Sequence, residues 1–113
     1  MEIIQPGPEG KPEINARDRL PNRRPAITTT FERDNSRYTL TVGYFPDGRA
    51  GEIFLNADRA ESLLDVLTHD AAILASLALQ HGCPLETINH ALKRDARGIA
   101  ASPIGAALDR IAT

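Results

Sequence analysis

The sequence predicts an α+β fold: a three-stranded antiparallel β-meander followed by about three helices packed on one sheet face. Three observations carry this reading. Apolar and polar residues alternate with period two from Ile27 to Asn56, the pattern of half-buried strands. Two turn signals, Asp34-Asn35-Ser36 and Pro46-Asp47-Gly48, divide that stretch into three. After Asn56 the apolar spacing becomes three and four, which marks one face of a helix. Strands first and helices second is the order of an α+β domain.

Each element has its own justification. Ile27, Thr29 and Phe31 alternate with Thr28, Thr30 and Glu32, and the β-branched density favours a strand. In the second strand Tyr38, Leu40, Val42 and Tyr44 share one face, with Thr39, Thr41 and Gly43 on the other. The third runs from about Gly51 to Asn56, with Ile53 and Leu55 opposite Phe54. Connections this short imply antiparallel neighbours. Asn56 or Asp58 is placed to cap the first helix, whose stripe is Leu63, Leu64, Leu67, Ala71, Leu74 and Ala78. From Ala71 to Leu79 that helix is apolar all round except for Ser76, which predicts burial on several sides, at the centre of the domain or in a subunit interface. His69 and Asp70 mark a position where it can break. Gly82 is a stop signal. Pro84 suits the first position of a second helix carrying Leu85, Ile88, Ala91 and Leu92. Ser102 and Pro103 open the third as cap and first residue, with Ile104, Leu108 and Ile111 as its stripe.

Composition sets the class. The chain has 113 residues, the length of one domain. Residues 1–22 hold four prolines and no apolar period, so they read as a flexible arm; residues 23–113 read as the single folded domain. Aromatic residues make up 4% and tryptophan is absent, so Leu, Ile and Ala are expected to build the core. A formal net charge of −2 with so few aromatics argues against a nucleic-acid binder. One cysteine excludes an internal disulfide and fits a reducing compartment. The start Met1-Glu2-Ile3-Ile4 has no basic residue before an apolar run, and the longest apolar stretch is far shorter than a membrane span. The expected location is therefore the cytoplasm, with no membrane partner.

The search for chemistry yields little. His69, His81, His90 and Cys83 lack the paired spacing of a zinc site, so no metal is expected. Cys83 precedes Pro84 at a helix start, where backbone N–H groups favour a thiolate, and His81 stands two residues away. This pair is the candidate reactive thiol; the competing reading is a small residue filling a helix corner. No nucleotide loop follows a strand and opens a helix.

Three segments together resemble a known family. They are Leu20-Pro21-Asn22-Arg23-Arg24; Tyr38 to Gly43 with Pro46-Asp47-Gly48-Arg49-Ala50-Gly51-Glu52-Ile53-Phe54-Leu55; and Ser76 to Glu86 with Ser102-Pro103-Ile104-Gly105. The run from Leu20 to Ala112 looks like the TSCPD domain, found near the C-terminus of adenosylcobalamin-dependent (class II) ribonucleotide reductases and as short stand-alone proteins. Reductase chemistry in that family needs several cysteines and a cobalamin radical source, and this chain has Cys83 alone. The resemblance thus implies a non-catalytic accessory or regulatory module with no cofactor of its own. It would bind a reductase, another protein or a nucleotide. Arg23, Arg24, Asp47, Arg49 and Glu52 lie in or beside the matched segments and are the candidate binding residues. Their alternative role is turn stability and ion pairing across the hairpin. Two further functional readings stand beside this one: a homodimeric interaction adaptor unrelated to nucleotide metabolism, and a small thiol enzyme using Cys83 with His81.

Overall fold

The computed structural model describes residues 16–112. Strands β1 (Ala26–Arg33), β2 (Ser36–Tyr44) and β3 (Ala50–Ala57) precede helices α1 (Leu63–Gln80), α2 (Leu85–Ala91) and α3 (Pro103–Ala112). The sheet is antiparallel in the order β1-β2-β3, as the two short connections require. Most of the arm expected over residues 1–22 lies outside the described residues. Its described end bonds to α1: the Asp18 amide donates to the Gln80 carbonyl at 2.7 Å, and Arg17 Nε donates to Gln80 Oε1 at 2.6 Å.

Local chemistry sets the turns. Arg33 pairs with Ser36, leaving Asp34 and Asn35 as a two-residue hairpin loop. Both have positive φ, 49° and 63°, the conformation that a type I′ hairpin demands. In the second turn Gly48 takes φ 93° and its amide donates to the Phe45 carbonyl at 2.9 Å. The β2–β3 register shifts at Gly43/Tyr44, so Tyr44 opposes Ala50. Gly51 lies beneath the Phe45 ring, where a Cβ would collide with a ring carbon.

The sheet's inner face builds the core with α1 and α3. Phe31, Tyr38, Leu40, Val42, Ile53 and Leu55 bury against Ala72, Ala75 and Leu79 of α1 and Ile104, Ala107 and Leu108 of α3. The core is more aromatic than composition suggested. Phe31 and Tyr38 stack with centroids 5.2 Å apart, and Phe45 is buried as well. Few aromatics overall says nothing about where they fall, and here Phe31 and Tyr38 take inward positions of β1 and β2, while Phe45 follows β2 and Phe54 is exposed.

Helix α1 departs from expectation in three ways. Ser62, not Asn56 or Asp58, is the N-cap, accepting from the Asp65 amide at 3.1 Å. Asn56 is still in β3, and the intervening residues turn the chain, with Glu61 at φ 60°. The helix does not break at His69 and Asp70; both are exposed and leave its backbone ladder intact. Nor does it lie at the centre of the domain, buried on several sides by its own chain. Thr68, Ala72, Ala75, Leu79 and Gln80 bury, while Leu63, Val66, Leu67, Ile73 and Leu74 are exposed. By length and mean hydropathy, 1.3, it is long and apolar enough to cross a membrane.

What holds α1 is the free edge of β3. An edge strand presents backbone donors and acceptors with no strand to pair them. Side chains of α1 satisfy them in antiparallel order. Gln80 Nε2 donates to the Gly51 carbonyl at 2.9 Å, the Ile53 amide donates to Ser76 Oγ at 2.8 Å, and the Ala57 amide donates to Asp65 Oδ1 at 2.9 Å. Small residues on the buried face, Ala72 and Ala75, let the helix approach closely. The C-terminal end closes as a Schellman motif: the Cys83 amide bonds to the Ala78 carbonyl and the Gly82 amide to the Leu79 carbonyl, with Gly82 at φ 91°.

The last two helices are clasped together. Arg94 spans both carboxylate oxygens of Asp109 at 2.7 and 2.9 Å, and Asn89 bonds to each partner. Pro84 is the N-cap of α2, one position earlier than read from sequence; Ser102 caps α3 as expected, accepting from the Gly105 amide at 3.2 Å.

Ser76→Ala is expected to lower stability by about 1–3 kcal/mol, because it strands a part-buried backbone donor at Ile53. Urea unfolding measures this. A loss below about 0.5 kcal/mol, the scale of a neutral surface change, would show that the edge does not depend on Ser76.

Candidate functional site

Two of the segments singled out in the sequence meet in space. The β2–β3 turn supplies Tyr44, Gly48, Arg49 and Ala50, and the α1–α2 corner supplies Leu79, Gly82, Cys83, Pro84, Leu85 and Glu86. With Ile111 of α3 they line a cleft of about 370 Å³. That is the low end of the range for small-ligand sites. Its walls are mainly apolar, and Arg49 and Glu86 bring opposite charges to it. The α1 Schellman turn and the β3 edge bonds together set the distance between its two sides.

The predicted residues divide among three places. Asp47 and Arg49 form a unit at the hairpin tip. Asp47 Oδ1 accepts from the Arg49 amide at 3.1 Å, and Oδ2 accepts from Arg49 Nε at 2.7 Å. The guanidinium lies 4.7 Å from the Phe45 ring centroid and 3.7 Å from Asp18. The Arg49 amide, then its side chain, hold the Asp47 carboxyl below the usual range. Arg24 and Glu52 are elsewhere, clamped together by two bonds of 2.7 and 2.8 Å, with a further bond from Arg24 to the Pro21 carbonyl. Gly43, opposite Glu52, leaves room for this clamp, since a Cβ there would collide with Glu52 Oε2. Arg23 is exposed beside it.

Cys83 lines the cleft, partly buried, with Sγ 3.8 Å from the Pro84 carbonyl oxygen. His81 is the C-cap of α1 and stands outside the cleft lining. Among the described residues, no group of three His, Cys, Asp or Glu side chains is placed to hold a metal ion. Sequence reasoning missed Tyr44, Glu86 and Ile111 as neighbours of Arg49. The available signal was that both matched segments flank tight turns; their convergence follows only from the packing of α1 along β3.

The fold and cleft define a small α+β module whose matched segments converge on one surface. The family model of the TSCPD domain matches residues 11–112, and the chain belongs to that family. The chain is 39% identical over 71 residues to the vitamin B12-dependent ribonucleotide reductase of Streptantibioticus cattleyicolor, a match covering 63% of this chain and 12% of that protein. It is 39% identical to the reductase of Streptomyces clavuligerus, covering 63% of this chain and 7% of the relative. For Rhodopirellula baltica the values are 36% over 72 residues, 64% and 7%. The matches thus span a small fraction of those reductases. No solved structure matches.

The Asp47 carboxyl is expected to titrate below the ordinary aspartate value of about 3.9. Its contribution to hairpin stability is full above that value and is lost as pH falls through the lower folded one. Arg49→Met should raise the midpoint only part of the way, because the residue-49 amide still donates. Carboxyl NMR titration of both proteins reads this; a full return to the ordinary value would contradict the assignment of the amide as the larger cause.

Proposed function

We propose that this chain is a non-catalytic accessory or regulatory module related to the TSCPD region of vitamin B12-dependent ribonucleotide reductases, and that it acts by binding in the cleft between the β2–β3 turn and the α1–α2 corner. The observation that supports the reading is the convergence on that cleft of two of the segments whose sequence resembles the family, in a chain that belongs to it. Its chemistry favours a protein partner over a nucleotide. Arg49 already faces the carboxylates of Asp47 and Asp18, and Glu86 adds negative charge, so little positive charge is left for a polyphosphate. The apolar walls of Leu79, Leu85 and Ile111 suit an apolar anchor side chain. Asp47 acts by holding Arg49, and Arg24 and Glu52 act by fixing the entry to β1. Arg23 is the exposed cation beside that entry.

A second reading is favoured by one separate observation. The outward face of α1 leaves several large apolar side chains exposed, which suits a homodimeric adaptor.

The first reading is tested by capture of a purified B12-dependent reductase on the immobilised chain, together with a thermal-shift screen of ribonucleotides and deoxynucleotides. Capture that is lost in Leu85→Asp, with no nucleotide shift, is the expected result. A nucleotide at a hundredfold excess over its Kd would raise the midpoint by on the order of 10 °C and move the reading to nucleotide binding. If the chain neither captures the reductase nor shows a shift with any nucleotide, the binding reading is overturned.

A further inference from the structure

We infer that the outward face of α1 is a two-fold interface that pairs this helix, antiparallel, with the same helix of a second copy. The inference rests on the self-association reading above and adds its geometry; it stands apart from the reductase relation.

Residues three and four apart share a helix face. On α1 the face opposite buried Ala72, Ala75 and Leu79 carries Leu63, Val66, Leu67, Asp70, Ile73, Leu74 and Leu77. Leu63 is 74% exposed, Leu67 59% and Leu74 68%, values far above those of a core helix. The stripe is symmetric about Asp70. Leu67 and Ile73 stand three residues to either side, Val66 and Leu74 four, and Leu63 and Leu77 seven. A two-fold axis through Asp70 therefore sets Leu67 against Ile73, Val66 against Leu74 and Leu63 against the half-buried Leu77, so apolar side chains meet on both sides of Asp70. Such self-complementarity is what an isologous interface requires.

The area agrees. The exposed side chains of the stripe leave on the order of 500 Å² of apolar surface, at the upper end for a monomer patch. A standard interface buries about 800 Å² per partner, and roughly two thirds of a homodimer interface is apolar. Two thirds of about 800 Å² is roughly 530 Å², close to the apolar area of the stripe. Asp70 is the exception in the pattern. The two-fold axis brings the two Asp70 carboxylates close, so like charges oppose an otherwise apolar contact and keep it reversible.

Sedimentation velocity of the full chain over a wide concentration range tests the association. The expected result is a monomer–dimer equilibrium that Leu74→Lys weakens more than tenfold and Asp70→Asn tightens about tenfold, with circular dichroism confirming the fold of each variant. Cross-linking tests the geometry. In a Cys83→Ser background, mixing Leu67→Cys with Ile73→Cys should give the 67–73 heterodimer in preference to either homodimer. A clean monomer at every concentration overturns self-association, and so does flotation of that monomer with phosphatidylcholine–phosphatidylglycerol vesicles, which would assign the face to a lipid surface. A dimer indifferent to both Leu74→Lys and Asp70→Asn, or one cross-linking 67 to 67, leaves self-association standing and overturns the antiparallel α1 interface.

Discussion

The pairing of α1 side chains with the free edge of β3 is the constraint on which the rest of the molecule depends. A three-stranded sheet has two edges, and buried backbone groups on either need partners. Gln80, Ser76 and Asp65 supply them to Gly51, Ile53 and Ala57 in reverse chain order. This fixes where the helix starts, which way it runs and how close it lies. Asp65 contributes twice, because its second oxygen accepts from the Glu61 amide and shapes the turn into the helix. The described end of the arm then bonds to Gln80, so one side chain joins arm, helix and sheet edge.

Everything that forms the cleft follows from that alignment. With α1 set along β3, its Schellman turn delivers Cys83, Pro84 and Leu85 opposite the β2–β3 hairpin. The hairpin tip is held by its own chemistry, through Asp47, Arg49 and the Phe45 ring. The cleft is thus a junction of two hydrogen-bonded turns. The same alignment has a cost on the other side. A helix that spends its small and polar residues on the sheet is left with its leucines outward, and the Leu63 to Leu77 stripe is the result.

Most of the local structure was legible because local rules decide it. Paired left-handed residues at Asp34 and Asn35, Gly48 in its turn, Gly82 at the helix stop and the Ser102-Pro103 start all stand where turn and cap chemistry places them. The helix start was not legible in the same way. Asn56, Asp58 and Ser62 are all competent caps, and only the length of β3 selects among them. Ser76 read as an interruption in an apolar run; its value lies in the Ile53 backbone, 23 residues away. Arg24 and Glu52 read as part of a binding rim with Asp47 and Arg49, whereas they form a separate clamp over Gly43.

The sequence by itself determined the order of the elements, the strand faces, the turns and the family, because periodicity, glycine and proline positions and residue identity act over a few residues. Tertiary structure alone decided which face of α1 is buried. A helix with large apolar residues on every side has no single face that must be buried, so the choice fell to the polar side chains able to satisfy the edge of β3. That choice placed Cys83 and Arg49 in one cleft and left the leucine stripe facing out.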